Sequence, residues 1–219
     1  MFYTISNICF LITVLLLIIT TTYWQRLFLR RVSIKNIVII GMFVALSIVL
    51  TNFIGYGIRI LGIQMMLGNF IIFTCGVLFG PFFGIVSGFC SDLTGSLLFI
   101  GSSFHFGYML SKVLLGFFGG LVFLPQTNKL WKLRLVLYLC VGLMISSLVI
   151  TPISLASVNG WEYVLLTFPK KLIIIPSQTI VYSILSFSTL NISYILLKSE
   201  ANKISRPWFL KNQKIKVRS

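Results

Sequence analysis

Long apolar stretches alternate with short polar links from one end of the chain to the other. The apolar runs cover about 5–24, 37–54, 63–79, 82–100, 106–124, 135–156 and 172–197. Each is continuous and close to the ~20 residues that a helix needs to cross the hydrocarbon core of a bilayer. Only helices and closed barrels satisfy every backbone group in lipid. Barrel strands would alternate apolar and polar residues over about ten positions, and no such alternation is present. The pattern therefore predicts seven transmembrane helices. Gly80-Pro81 marks a tight turn between the third and fourth runs, and Pro125 opens a polar link after the fifth.

Composition agrees. Hydrophobic residues make up 58% of the chain, charged residues 10%, and the mean hydropathy is +1.03. Soluble chains run near 45–50% apolar and ~25% charged, so most of this chain needs lipid as its solvent. The net charge of +15, from 18 basic and 3 acidic residues, invites a nucleic-acid reading, but the positions of the cations oppose it. With alternating passes and an external N-terminus, fourteen basic residues fall in inner segments and three, Arg59, Lys170 and Lys171, in outer ones. That is the positive-inside bias of membrane proteins. The first run has no basic residue before it and Arg26, Arg30 and Arg31 after it. This order predicts a retained helix rather than a cleaved signal. The tail from Lys203 is basic and suits a cytoplasmic surface of anionic headgroups.

Several chemistries lack their residues. There is no G-x-x-x-x-G-K-[ST] phosphate loop and hence no ATPase motif. The only histidine is His105, and there is no H-E-x-x-H pattern. Three acidic residues leave little room for a paired-carboxylate mechanism. The chain reads as a non-enzyme with no cofactor or metal. Cys9, Cys75, Cys90 and Cys140 all lie inside apolar runs and read as small buried hydrophobes.

The unusual residues gather at the outer ends. One link, Gly55 to Gly62, carries three glycines and Arg59; another, Gly101 to Tyr108, interleaves Phe104, His105 and Tyr108 with hydroxyls. A third holds Trp161, Glu162 and Tyr163, followed by Phe168-Pro169-Lys170-Lys171. Rings for stacking and cations for carboxylates on one side suit a flat, anionic small molecule. The competing reading is an interfacial aromatic belt with lysines that snorkel to headgroups. Asp92 and Lys112 are the acid and the base that lie within apolar runs. Intramembrane charges face the bundle interior and pair. Both lie about ten residues from the turn near Gly101, so a mutual contact and a ligand or coupling role are both open. Gly41 and Ala45, four apart, form a small-x-x-x-small face near the inner end of the second run.

These residues resemble the substrate-binding S-component of energy-coupling factor (ECF) vitamin transporters, and within it the folate-specific branch. Val32-Ser33-Ile34-Lys35 leading into Gly41-Met42-Phe43-Val44-Ala45-Leu46 is similar to the family's opening helix with its Ala-x-x-x-Ala signature, glycine replacing the first alanine. Gly76-Val77-Leu78-Phe79-Gly80-Pro81-Phe82-Phe83-Gly84, then Ser91-Asp92-Leu93-Thr94-Gly95 and Phe104 to Tyr108, resemble the branch's next conserved stretch, with departures at His105-Phe106 and Tyr108. Phe168-Pro169-Lys170-Lys171-Leu172 with Ile175-Pro176 is similar to its approach to the last helix.

The resemblance covers about residues 32–198. It implies an all-α membrane protein: an extra N-terminal transmembrane helix and basic link at 1–31, a six-helix substrate-binding domain at 32–198, and a basic cytoplasmic tail at 199–219. It implies a multi-pass protein of a bacterial cell membrane, N-terminus outside and C-terminus cytoplasmic. The S-component captures a vitamin from outside and docks on a transmembrane coupling protein that carries two cytoplasmic ATPases. It then topples in the membrane to deliver the ligand. The candidate ligand contacts are Arg59, Phe104, His105, Tyr108, Lys112, Trp161, Lys170, Lys171 and Gln178, with Asn52 held in reserve. Gly41 and Ala45 are the candidate docking pair. Folate, stacked and dianionic, fits this outer end; the alternatives are another vitamin such as pantothenate or riboflavin, or a secondary transporter coupled to protons through Asp92. Against the last stand the single intramembrane acid and the absence of an internal repeat.

Overall fold

The computed structural model describes residues 2–28, 34–55, 59–60, 63–64, 66–98, 104–124 and 130–198, with side chains for all but 24–28, 35, 59–60, 63–64 and 194–198. Helix α1 spans Phe2–Phe28 and α2 spans Ile34–Val49, prolonged by a π turn over Leu50–Ile54. A short antiparallel ladder pairs β1 (Arg59–Ile60) with β2 (Ile63–Gln64). Then come α3 (Gly68–Phe79), α4 (Pro81–Leu98) and α5 (Phe106–Leu121). Helix α6 (Trp131–Ile145) continues through a second π turn, Ser146–Ile150, into α7 (Thr151–Asn159). Helix α8 runs from Trp161 to Lys198.

Five of these units are long and apolar enough to cross a membrane: 2–23, 36–54, 81–98, 131–159 and 161–193. The other two expected spans are shorter. With 12 and 16 residues, α3 and α5 extend about 18 and 24 Å at 1.5 Å per residue. Both lie inside the bundle, and every residue of α3 except Asn69 is buried. The third apolar run thus begins its helix at Gly68 rather than at Ile63, because Ile63 and Gln64 pair with Ile60 and Arg59 in the ladder.

The larger correction concerns the last helix. The expected link at 159–171 is helical apart from Gly160, and α8 starts at Trp161 instead of Leu172. Gly160, at φ 85°, makes the break after α7, and Glu162 in the first turn favours the helix start through the helix dipole. Pro169 and Pro176 lie inside α8. Membrane helices tolerate such prolines because neighbouring groups re-satisfy the freed carbonyls. Gly80, at φ 98°, separates α3 from α4, where the Gly-Pro pair predicts a turn.

Glycine sets the spacing of the centre. Helix α5 packs against α3 and α4 with hardly any side chain between them. A Cβ on Gly84 would meet the Gly116 carbonyl, one on Gly119 the Phe73 carbonyl, and one on Gly88 the Lys112 backbone. This is the small-residue packing that brings membrane helices together where apolar burial gives no drive. The larger apolar cluster joins α3, α5, α6 and α8 through Phe73, Leu78, Leu115, Leu139 and Tyr182; a second joins α1, α4 and α5 through Val14, Ile85, Met109 and Val113. Hydroxyls bridge the helices: Ser47 Oγ bonds the Gly68 carbonyl and Ser91 Oγ, each at 3.1 Å, and Tyr182 Oη donates to the Met66 carbonyl at 2.9 Å.

Candidate functional site

Several helices and both π turns line a cavity of about 370 Å³, inside the range for small-molecule sites. Helical periodicity selects its lining. On α8 it is Lys171, Ile174, Ile175 and Gln178; on α4, Asp92, Gly95 and Ser96; on α5, Tyr108, Ser111 and Lys112. Each set follows the three- and four-residue steps of one helix face. Phe104 and His105 line it from just before α5. Both π turns contribute as well. Thr51 and Asn52 lie in the first, and Ser146 and Ser147 in the second, followed by Thr151; Met66 and Asn69 close the end near α3. An extra residue in a helical turn re-aims the side chains after it, and π turns recur at functional sites for that reason.

The charges are sparse and ordered. Lys112 Nζ stands 2.9 Å from Asp92 Oδ1, so the two intramembrane charges expected at similar depth form a pair on the cavity wall. Lys171 Nζ is buried and finds no hydrogen-bond partner among the described residues, and the same holds for Thr51 Oγ1 and Asn69 Oδ1. All three belong to lining residues. Among the described residues the lining carries two lysines and one carboxylate. The unbalanced charge is that of Lys171.

His105 is buried, and its hydrogen bonds define its state. Nδ1 accepts from the Gly107 N–H at 3.0 Å, and Nε2 lies 2.8 Å from Ser157 Oγ, which donates to the Ser154 carbonyl at 2.7 Å. Nδ1 therefore carries no proton and Nε2 donates. Burial lowers the pKa of this imidazole below its ordinary value, which fits a neutral ring that caps α5.

Of the residues expected at the site, Phe104, His105, Tyr108, Lys112, Lys171 and Gln178 come together around the cavity, with Asn52 beside them. Trp161 and Lys170 lie elsewhere. Trp161 is 59% exposed and its ring centre is 6.4 Å from that of Phe2; Lys170 is exposed. Neither lines the cavity. The Arg59 side chain lies outside the described residues. Sequence reasoning missed Thr51, Asn69, Ser96, Ser111, Ser146, Ser147 and Thr151. Their only signal was polar residues at helical spacing inside apolar runs. On α2, Ala45 is exposed, and a Cβ on Gly41 would meet nothing within 4 Å, so this small-residue face is open.

Comparison with known proteins adds the family. The model of the family described as "ECF transporter, substrate-specific component" matches residues 35–198. A solved structure described as "Crystal structure of FolT bound with folic acid" superposes with a TM-score of 0.59 at 22% identity, covering 70% of this chain and 95% of that one. A comparison with curated proteins found no match. Helix α1 precedes the matched segment. The apolar spans and the extent of the family match lead to one conclusion: the chain is a multi-pass membrane protein that belongs to the substrate-specific components of ECF transporters.

Proposed function

We propose that this chain captures folate, a flat and dianionic vitamin, in the cavity between α2, α4, α5 and α8. The observation that carries the reading is the convergence of three unpartnered buried polar atoms, Lys171 Nζ, Thr51 Oγ1 and Asn69 Oδ1, on one cavity. Buried polar atoms without partners are costly, and a ligand bearing an anion and a polar heterocycle would satisfy all three. Lys171 supplies the charge for a carboxylate. Phe104 and Tyr108 offer ring faces, and the hydroxyls and amides of Asn52, Ser96, Ser111, Ser146 and Gln178 offer donors and acceptors to a heterocycle. The Asp92–Lys112 pair keeps that wall near neutral, which favours one anion-binding position over a diffuse one. The folic acid bound to the structural neighbour supports the same substrate class.

Capture is one half of the proposed role. The open face of Gly41 and Ala45 on α2 suits docking on a transmembrane coupling protein with its two cytoplasmic ATPases. The protein would sit in a bacterial cell membrane with its N-terminus outside and its C-terminus in the cytoplasm. The test is calorimetric titration of the purified protein with folic acid, pantothenate and riboflavin. Saturable, stoichiometric binding of folic acid alone is the expected result. Binding of either other vitamin in its place, or of none of the three, would remove folate as the substrate.

A further inference from the structure

We infer that Asn7 of α1 is a positioning residue of the ligand site: it holds the corner at 104–106, and with it Phe104 and His105, against the cavity. The inference rests on the reading of that cavity as the substrate site. The argument begins with the start of α5. The first N–H groups of a helix have no partner within the helix. His105, the N-cap, takes the Gly107 N–H on its own ring. The Phe106 N–H goes to Asn7 Oδ1 at 2.9 Å, 99 residues away in sequence. The amide orientation of Asn7 follows from its other bond, Nδ2 donating to the Tyr3 carbonyl at 3.0 Å; only the amino group donates, so the oxygen faces Phe106. One turn earlier, Tyr3 Oη donates to the Phe104 carbonyl at 3.1 Å. Helix α1 thus ties the backbone of this corner on both sides of His105.

The rings of the same helix then enclose the imidazole. Tyr3 and Phe10 stand edge-on to His105 at 5.3 and 5.9 Å, with Tyr108 of α5 at 5.9 Å on a third side. Two lining side chains therefore depend on polar and aromatic contacts from a helix outside the family-matched segment 35–198. Val14 farther along α1 packs through apolar contacts, whereas Tyr3 and Asn7 anchor the helix by hydrogen bonds in the turns beside the cavity.

The experiment uses the full chain in lipid nanodiscs and two readouts: release of radiolabelled folic acid, and the ring signal of carbon-13-labelled histidine. The chain has a single histidine, so that signal reports His105 without ligand. Asn7→Leu keeps the bulk and removes the acceptor. It should speed release about 3- to 10-fold, the worth of one neutral hydrogen bond, and shift the His105 signal. Asn7→Asp keeps the oxygen acceptor for the Phe106 N–H but loses the donor to the Tyr3 carbonyl, and should restore both in part. Wild-type release with an unchanged signal in Asn7→Leu overturns the proposal, and so does failure of Asn7→Asp to restore. If the wild-type protein does not retain folic acid, the substrate reading falls and the His105 signal decides alone: shifted in Asn7→Leu supports the anchor, unchanged removes it. Should Asn7→Leu fail to insert, Tyr3→Phe removes only one hydroxyl; a shift in the same direction supports the anchor, and wild-type behaviour on both readouts overturns it.

Discussion

Lys170 and Lys171 differ by one position and about 100° of helix rotation, and that rotation separates an exposed cation from a cavity cation. Sequence alone marks both, because both oppose the charge bias. It does not choose between them, because Pro169 reads as the end of a link when it is in fact inside α8. Once the helix is continuous, Lys171 falls on the face of Ile174, Ile175 and Gln178, and Lys170 does not. A charge-assisted hydrogen bond is worth about 1.5–3 kcal/mol. Lys171→Ala should therefore weaken folic acid binding about 10- to 150-fold, whereas Lys170→Ala should leave it near wild type; calorimetric titration of both variants checks the difference. Wild-type binding in both variants would return the two lysines to a shared headgroup role. Trp161 teaches a related lesson. An aromatic near a cluster of cations reads as a stacking partner, yet a ring at the start of a long helix faces outward as readily as inward, and this one meets Phe2.

Elements are where the sequence is most informative and where its two main errors arise. The seven apolar runs locate seven helical units, five of them long and apolar enough to cross a membrane, because lipid forbids unpaired backbone. They do not fix the ends, since an apolar residue in a ladder or loop looks like one in a helix. The π turns are invisible to hydrophobic pattern altogether, which hid Thr51, Ser146 and Ser147 among apolar neighbours. The pairing of α4 with α5 was legible through two charges at matched depth, and the 2.9 Å ion pair realises it. Removing one partner of a buried pair strands the other; the cost is about 3–5 kcal/mol. Asp92→Asn should accordingly lower the thermal midpoint of the purified protein, and adding Lys112→Met should recover much of the loss. A double variant no better than the single one would show that the pair is not the unit. On α2 the expectation concerns assembly. Leucine at Gly41 or Ala45 points into open space, so folding and folic acid binding should persist while co-purification with a coupling subunit and its ATPases is lost. Transport at the wild-type rate in both variants would place the docking face elsewhere.

At the scale of the whole molecule, charge distribution carries the orientation. Fourteen inner cations against three outer ones predict that a cysteine at Phe2 reacts with an impermeant reagent on intact cells and one at Lys216 does not, in a background without the four native cysteines. The reverse pattern would invert the topology and place the cavity on the other side. The glycine contacts of α3, α4 and α5 carry a consequence for how the molecule yields to force. Where backbones touch, no side chain is left to change rotamer, so that block is stiff. Helix α8 is the opposite: Pro169 and Pro176 each remove a backbone hydrogen bond, to the carbonyls of Leu165 and Leu172. Lys171 is set between these two soft points and lines the same cavity as Asp92 and Lys112, which belong to the stiff block. Compliance is thus distributed to one side, and ligand capture should be felt there. Hydrogen exchange with and without folic acid should slow mainly around residues 165–178 and change little across 76–88. The protein would then grip its ligand as a vice does, with one fixed jaw and one that moves.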